Sequence, residues 1–411
     1  MKDMKWYNTL QFIVLCLTLT LVAIDWGIGL WATVTLAVVT LVKIVAERRV
    51  GNPSLDLPLR LALLGAVAYW LCNVVGVFYS DDTAGAMGVV SRKAMLMVAP
   101  LCVLLSDMSY VKGQHLRTMF YALLLAVGGL FVYDWITDTF QDKNHNYVAM
   151  YILTAAAFVY HELALRRAAM PVWQRVALCV AAVVTIVFVI YIDSRAGILC
   201  LYGLEVLCGL HLACSRKWWH CVLLAVALVG LTFTAEKTLP NHKSRITITT
   251  MKTMDAEEAK TVALSQKTYG KYRDARMAIN VTAIKTVADS PVFGYGTGDY
   301  DTVLMDRYVA EGYPTLTEEH YNAHNQYTET ALAIGAIGML VMVWWLLMPL
   351  YVAWRRKSGA WDVLALTFIV MFSLLFESIL ERQMGVQFVG LLYAIMVLII
   401  NASQRVLKSK Q

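Results

Sequence analysis

The stretch Glu318–Gly338, EEHYNAHNQYTETALAIGAIG, joins a long polar segment to a long apolar one. Upstream of it, residues 236–323 carry too many charges to enter a bilayer. Downstream, the sequence predicts an apolar helix over residues 326–352, which is long enough to cross a bilayer. His324 and Asn325 lie where the two segments meet. We therefore expect these two polar side chains at a membrane surface.

The composition indicates a membrane protein with many spans. The 411 residues are 59% hydrophobic and only 16% charged, whereas a soluble domain carries about 25% charged residues. We predict an all-α, polytopic bundle of about 12 transmembrane helices, the first of them short. The apolar segments fall near residues 9–24, 26–46, 60–80, 84–105, 114–135, 146–164, 173–192, 195–214, 218–235, 326–352, 361–380 and 385–401.

These segments divide the chain into three parts. Residues 1–235 hold helices one to nine, residues 236–325 form one large outer loop with short helices, and residues 326–411 hold the last three helices and a tail. The first apolar segment continues into the second with no cleavage site, so we expect no removable signal peptide. The 8 Cys lie in or beside apolar segments, which argues against a disulfide framework or a zinc site.

The distribution of Lys and Arg predicts the orientation. If the N-terminus is cytoplasmic, 19 of the 35 basic residues fall in cytoplasmic segments and only five in short outer turns. Cytoplasmic loops are enriched in Lys and Arg, so we predict both termini inside and the large loop outside. The net charge of +6 follows from this bias and indicates no nucleic-acid partner. The five outer cations are Arg92, Lys93, Lys143, Arg195 and Arg382.

Three of the outer cations suggest a basic pocket at the outer leaflet. Arg92 and Lys93 lie inside the fourth segment, and Arg195 lies in a very tight turn that also contains Asp193. Such charges are costly unless something holds them, and together they suit a lipid-linked phosphate. The alternative is local pairing of Asp193 with Arg195, or side chains that reach lipid headgroups.

The large loop contains a helix predicted from about Tyr269 to Ala288 and ended by Pro291. Its apolar stripe consists of Met277, Val281, Ile284 and Ala288. A neighbouring face carries Arg273, Arg276 and Asn280 at spacings of three and four. An earlier short helix is predicted to begin at the capping box Asp255–Glu258.

Two short motifs follow this helix. The amides of Gly294-Tyr-Gly296-Thr-Gly298 could face a phosphate or sugar, but without a flanking strand and helix the pattern favours a plain turn. Asp299-Tyr-Asp301 spells D-x-D, which metal-dependent glycosyltransferases use. The nucleotide-binding domain that such enzymes need does not fit this chain, so we interpret the two acids as loop residues.

His324 is the strongest candidate for proton transfer, because histidine suits general-base work near neutral pH. The alternative is an interfacial histidine that only hydrogen-bonds the loop backbone. Three carboxylates, Glu205, Glu329 and Glu377, lie within apolar segments, and we expect them to pair with buried donors or cations.

The motifs together resemble the O-antigen ligase and polymerase superfamily, most closely a lipid A-core:O-antigen ligase. Three pieces occur in order: Ser194-Arg195-Ala-Gly197, Arg276 upstream of Pro291-x-x-Gly294-x-Gly296, and Ala323-His324-Asn325 before Gly335-Ala-Ile-Gly338. One departure is Asn280, where members of the family often carry Trp.

The resemblance implies a membrane glycosyltransferase of the bacterial inner membrane, with its active site on the periplasmic side. It would move a glycan from undecaprenyl diphosphate to a sugar of lipid A-core, with inversion and without a metal or cofactor. Arg195 and Arg276 would hold the diphosphate and His324 would act as base. Arg92, Lys93, Arg273 and Asn325 would help to bind the substrates.

Several alternatives remain at this stage. An O-antigen polymerase or a protein O-oligosaccharyltransferase would differ only in the acceptor. A transporter often shows two half-repeats and helices broken by Gly or Pro at the membrane midplane, and the sequence suggests neither. A metal-dependent transferase could use Asp25, Asp299 or Asp301. A retaining mechanism would need a pair of carboxylates beside the glycosidic bond, and the sequence does not place one.

Overall fold

The computed structural model describes residues 5–137, 144–166, 170–192, 194–214 and 275–409, with short stretches at 218–219, 222–223, 226–227 and 229–230. Regular structure in these residues is entirely helical, which confirms the all-α prediction. The predicted capping box Asp255–Glu258 lies outside the described residues, as do Lys143, Asp193 and Arg273.

The described residues form fourteen α-helices. The first eight are α1 Trp6–Ile24, α2 Trp26–Glu47, α3 Leu57–Val77, α4 Thr83–Leu105, α5 Gly113–Thr137, α6 His145–Leu165, α7 Val172–Tyr191 and α8 Arg195–Cys214. The others are α9 Ala275–Asp289, α10 Tyr300–Ala310, α11 Pro314–Glu318, α12 Gln326–Arg356, α13 Ala360–Leu374 and α14 Gln383–Lys408. A single 3₁₀ turn, Ile379–Glu381, precedes α14.

Ten of these helices are long and apolar enough to cross a membrane, so the chain is a multi-pass membrane protein. They correspond to ten of the twelve predicted segments. The ninth predicted segment, residues 218–235, lies largely outside the described residues. The eleventh, predicted over 361–380, is the shorter helix α13, which ends at Leu374. In the turn that follows, Glu377, Ser378 and Glu381 form hydrogen bonds to side chains of α6 and α12. The helix ends before these residues.

α14 is the centre of the bundle. Every residue from Gly385 to Ala402 is buried. Gly390 lets α4 approach closely, because a Cβ at this position would lie 2.5 Å from the Leu96 carbonyl oxygen. Tyr393 donates one hydroxyl hydrogen that lies within reach of two carbonyls, those of Ala62 in α3 and Trp345 in α12. The central helix is therefore fixed to α3, α4 and α12 at once.

α12 is broken near its start. Ile334 and Gly335 have non-helical backbone angles, and Gly335 has φ 67° and ψ −171°, a conformation essentially restricted to glycine. The opening exposes backbone groups that the turn after α9 uses. Tyr295 N–H donates to the Leu332 carbonyl at 2.8 Å, and Ala336 N–H donates to the Pro291 carbonyl at 2.9 Å.

We define the loop side as the end of the bundle on which residues 275–325 pack. The α3–α4 turn and the α13–α14 turn lie on this side. Asp299 accepts the N–H groups of Asp81 and Asp82 at 2.7 and 2.8 Å. Tyr300 donates to Glu381 at 3.2 Å. The loop is thus attached to the ends of the membrane helices by defined polar contacts.

The predicted apolar stripe of α9 is not its packing face. Met277 and Ile284 are 54% and 60% exposed. The buried side chains lie about one residue further round, and all but Ile279 are small or polar: Ala278, Ile279, Thr282, Ala283 and Thr286. The contact face therefore lies beside the predicted stripe, and most of its side chains are small. Its start before residue 275 lies outside the described residues.

Candidate active site

His324 lies in a turn that several neighbouring groups hold in place. Its φ of 46° is in the left-handed region, which is uncommon for a residue other than glycine. The Asn322 side chain accepts its N–H at 3.0 Å. The preceding N–H, that of buried Ala323, donates to the Glu329 carboxylate at 2.8 Å. Two side chains therefore fix the backbone that leads into His324.

Asn325 is the N-cap of α12. Its Oδ1 accepts the N–H groups of Tyr327 and Thr328 at 3.0 and 3.3 Å, which satisfies two of the free donors at the helix start. Because of this cap, α12 begins directly after the turn that holds His324. The predicted role of Asn325 in substrate binding stays a prediction, and only its amide nitrogen is left for such a contact.

A buried carboxylate faces the histidine. Nδ1 of His324 lies 3.3 Å from Oε1 of Glu377, within ion-pair distance although not in hydrogen-bond geometry. The two side chains are 21% and 3% exposed. The second oxygen of Glu377 accepts the amides of Asn146 at 3.1 Å and Asn144 at 3.4 Å. Burial acts to raise the pKa of Glu377, but His324 and the two amides outweigh it and hold that pKa below its usual value.

Asn146 also contacts the Arg195 turn. The Ser194 hydroxyl donates to Asn146 Oδ1 at 2.7 Å and accepts the Gly197 N–H at 3.0 Å. Gly197 also permits close packing of α8 on α6, since a Cβ there would lie 2.6 Å from the Cβ of Ala149. Arg195 itself is exposed at the first position of α8. The structure therefore links the Arg195 turn to the His324 turn through hydrogen bonds from Ser194 to Asn146 and from Asn146 to Glu377, and through the contact of Glu377 with His324.

Lys93 is enclosed rather than open to a ligand. Its side chain is 1% exposed, its Nζ lies 2.7 Å from Glu381, and it donates to Asn73 Oδ1 at 3.0 Å. Burial acts to raise the pKa of Glu381, but Lys93 outweighs it and lowers that pKa. Arg92, one residue earlier, is half-buried, and its Nε has no hydrogen-bond partner among the described residues. Of the two, Arg92 is the cation better placed to meet a phosphate.

Glu381 also ties the start of α12 to the α13–α14 turn. Gln326 Nε2 donates to it at 3.0 Å, and the Leu380 N–H donates to Gln326 Oε1 at 2.6 Å. Ser378 in the same turn donates to Glu329 at 3.0 Å. These contacts fix residues 378–381 against the helix that follows His324, and they hold Glu377 in place as well.

Arg276 is exposed in the first turn of α9 and makes contacts there. The glycine turn that follows this helix is committed to packing. The N–H groups of Gly296 and Thr297 donate to the Ala333 and Gly76 carbonyls, and that of Gly298 donates to Ser80 Oγ. The interpretation as a plain turn therefore describes the structure, and these amides are not free for a phosphate or sugar.

The D-x-D acids have separate structural contacts. Both oxygens of Asp299 accept backbone N–H groups from the α3–α4 turn, and Asp301 lies 3.5 Å from Nε2 of His320. In the described part of the chain, no three His, Cys, Asp or Glu side chains cluster as a metal ion would require.

Comparison with protein families agrees with the motif pattern. A family model described as O-antigen ligase matches residues 180–343. Residues 180–343 are similar to the O-antigen ligase family. The matched region begins inside α7 and ends inside α12, so it includes Arg195, Arg276 and His324. This confirms the resemblance at the level of the superfamily, whose members are bacterial membrane enzymes of glycosyltransferase type that act on lipid-linked glycans. No curated protein matches the chain significantly.

Part of the site lies outside the O-antigen ligase match. Asn146 precedes it, while Glu377 and Glu381 follow it. The sequence had marked Glu377 only as a carboxylate that needs a buried partner, which His324 and the asparagines supply. The sequence Phe376-Glu-Ser-Ile-Leu-Glu-Arg382 also indicates a polar site, because three charged residues interrupt an apolar region there. The pairing itself joins residues far apart in the chain and leaves no local pattern.

Proposed function

We propose that this protein is an inverting glycosyltransferase that joins a glycan from undecaprenyl diphosphate to a sugar hydroxyl of lipid A-core. The single observation that carries the proposal is the chain of contacts from Ser194 through Asn146 and Glu377 to His324, which connects the turn of the exposed Arg195 to the His324 ring. Membership of the O-antigen ligase superfamily supports a lipid-linked glycan as donor. On this proposal the loop side is periplasmic, both termini are cytoplasmic and the membrane is the bacterial inner membrane.

The reaction is a direct displacement at the anomeric carbon. The acceptor hydroxyl oxygen forms the new bond to that carbon and gives its proton to His324. The bond from carbon to the diphosphate oxygen breaks at the same time, and undecaprenyl diphosphate leaves with the electron pair. The single displacement inverts the configuration because the hydroxyl attacks the face opposite the leaving group. A retaining route would instead proceed by two displacements and would need a pair of carboxylates beside the bond.

The leaving diphosphate gains negative charge at the membrane surface, where fixed cations stabilise it most effectively. Arg195 and Arg276 are both exposed at the first turn of a helix on the loop side. A guanidinium binds two phosphate oxygens in a fixed geometry. We assign these two residues to the diphosphate, with Arg92 and Arg273 as further cations and Asn325 at the acceptor.

Lys93 has a different place in the proposal. Because its ammonium group is engaged by Glu381 and Asn73, direct contact with a substrate would require those bonds to open. In the structure it instead neutralises the carboxylate that fixes the start of α12. A role in binding the substrate would therefore be indirect, through the shape of the site.

The test is an acceptor assay with purified protein in lipid nanodiscs. Three parallel reactions receive the same undecaprenyl-diphosphate glycan, with lipid A-core, a second lipid-linked glycan, or a Ser/Thr-rich acceptor protein as partner. We expect product only with lipid A-core, and unchanged yield in excess chelator. Product confined to the second reaction would identify a polymerase and product confined to the third a protein glycosyltransferase, and either would overturn the ligase assignment.

A further inference from the structure

Glu377 has the position of a residue that orients the base. It lies in the turn between α13 and α14, outside the region matched by the family model, and it is 3% exposed. Its two oxygens face different partners, His324 on one side and two asparagine amides on the other. A buried carboxylate is costly unless each oxygen is compensated. Here the compensation comes from the proposed base itself and from the helix that carries Asn146.

We propose that Glu377 is a positioning residue for the transfer reaction, which holds His324 with its proton on Nδ1 and leaves Nε2 to accept the proton of the acceptor hydroxyl. This inference rests on the proposed function of His324 as base. It assigns a role to a residue that has no part in the motifs by which the sequence was placed in its superfamily.

The carboxylate of Glu377 selects between the two neutral tautomers of His324. A neutral imidazole carries a single proton, and the atom that carries it is set by the hydrogen bond that the other nitrogen makes or lacks. An ionised carboxylate can only accept, so Glu377 favours the form with hydrogen on Nδ1. The 3.3 Å separation needs only a small turn of the ring to become a hydrogen bond. Such bonds in ligand-free sites are often long and tighten when substrate binds.

Asn146 makes the carboxylate rigid. Its amide nitrogen donates to Glu377 and its oxygen accepts from Ser194, so neither end of the side chain can turn without losing a bond. Asn144 caps α6 by accepting the Asn146 N–H at 3.1 Å, which fixes the backbone below. Since Arg195 directly follows Ser194, the distance between the phosphate-binding arginine and the base is set by this unit.

The first measurement is steady-state kinetics on Glu377→Gln and Glu377→Asp. We expect kcat to fall about 10- to 100-fold in Glu377→Gln, the range for loss of an outer partner of a functional histidine, with the donor KM little changed. Glu377→Asp should recover part of the rate because it keeps the charge. Glu205→Gln is the matched control, since Glu205 is also buried but lies inside α8, well beyond the Arg195 turn. It should keep the parental rate.

The second measurement reports the ring directly. With ¹⁵N-labelled histidine in nanodiscs, the spectrum contains 8 histidines, and the His324→Gln spectrum identifies the signals of His324 by subtraction. We expect the wild-type ring to carry hydrogen on Nδ1, and Glu377→Gln to shift the population towards hydrogen on Nε2. Asn146→Ala should shift it in the same direction, but less.

The outcomes separate the two proposals. An unchanged tautomer in Glu377→Gln, or unchanged kcat, would overturn the role of Glu377 whatever His324 does. Near-normal turnover in His324→Gln would instead overturn the base assignment on which the inference depends. If Glu377→Gln fails to insert, the Glu377→Asp spectrum and rate decide, because that variant keeps the charge but shortens the reach to His324. An unchanged tautomer and an unchanged kcat in Glu377→Asp would then overturn the role of Glu377.

Discussion

His324 combines features that one structural role would not require. Its backbone is held in the left-handed region by Asn322, its flanking amide is bound by Glu329, and its ring meets a buried carboxylate. Residues kept in sparsely populated conformations concentrate at functional sites. We therefore expect His324→Ala to abolish transfer while the protein still inserts and still binds the lipid-linked donor. The measurement is turnover normalised to folded, membrane-inserted protein.

The competing interpretation makes the opposite prediction for the same variant. A histidine that only supports the turn would lower expression or thermal stability, and the surviving protein would turn over normally. Asn322→Ala is the control, because it removes the contact to the His324 N–H but leaves the ring. It should cost stability without abolishing the chemistry. Normal turnover in His324→Ala would remove the base from the mechanism.

On the proposed mechanism, Arg195 and Arg276 stabilise the leaving diphosphate. Removal of one donor to developing charge typically costs about 10²–10³ in rate. We expect Arg195→Ala and Arg276→Ala each to lower transfer by this amount, and Lys at either position to restore only part, since it supplies charge without the fork of donors. Transfer rates under saturating donor measure this effect. Full rates in both Arg→Lys variants would show that bidentate binding is not needed.

At the scale of elements, the joint between α12 and the glycine turn carries the strongest backbone constraint. A Cβ at Gly335 would lie 2.0 Å from the Val292 carbonyl oxygen, at a backbone conformation that other residues avoid. We expect Gly335→Ala to cost at least about 1–3 kcal/mol, and to loosen the loop from the bundle. Gly88→Ala is the matched control, because nothing lies within 4 Å of its added Cβ. It should be neutral or stabilising by up to about 1 kcal/mol.

Thermal denaturation of both variants in one detergent provides the comparison. Protease cleavage within residues 275–325 adds a readout for the loop alone. Equal stability of Gly335→Ala and Gly88→Ala would mean that the break in α12 is not required by the docked turn.

The elements also show where sequence patterns stop being informative. Hydropathy predicted most of the long helices because lipid exposure leaves a continuous apolar run. It placed the end of the eleventh segment six residues too far, since Glu377 looks like an isolated charge until its partners are known. The apolar stripe of α9 likewise does not indicate its contact face, where Ala278, Ala283 and Thr286 are buried while Met277 and Ile284 are exposed. Close helix packing favours small residues, and a search for large apolar ones misses them.

At the scale of the whole molecule, the site is an arrangement that only the fold creates. Its known motifs, Ser194-Arg195-Ala-Gly197 and Ala323-His324-Asn325, are local and could be found in the sequence. Their connection could not be found there, because Asn146 is 48 residues from Ser194 and 231 residues from Glu377 in the chain. Local turns and caps are encoded by neighbouring residues, whereas a buried polar network depends on which helices become neighbours.

The orientation of the whole protein is the property on which the proposed chemistry depends most. Glu318 is exposed at the end of α11 on the loop side, and Lys357 is exposed directly after the far end of α12. The excess of cytoplasmic Lys and Arg predicts that Glu318 faces the periplasm. In a background without the native cysteines, we expect Glu318→Cys to react with a membrane-impermeant maleimide in intact cells and Lys357→Cys to react only after permeabilisation. Equal labelling of both after permeabilisation controls for accessibility. Labelling of Lys357→Cys in intact cells would reverse the orientation, and with it the proposal that His324 and Arg195 meet a donor on the periplasmic side.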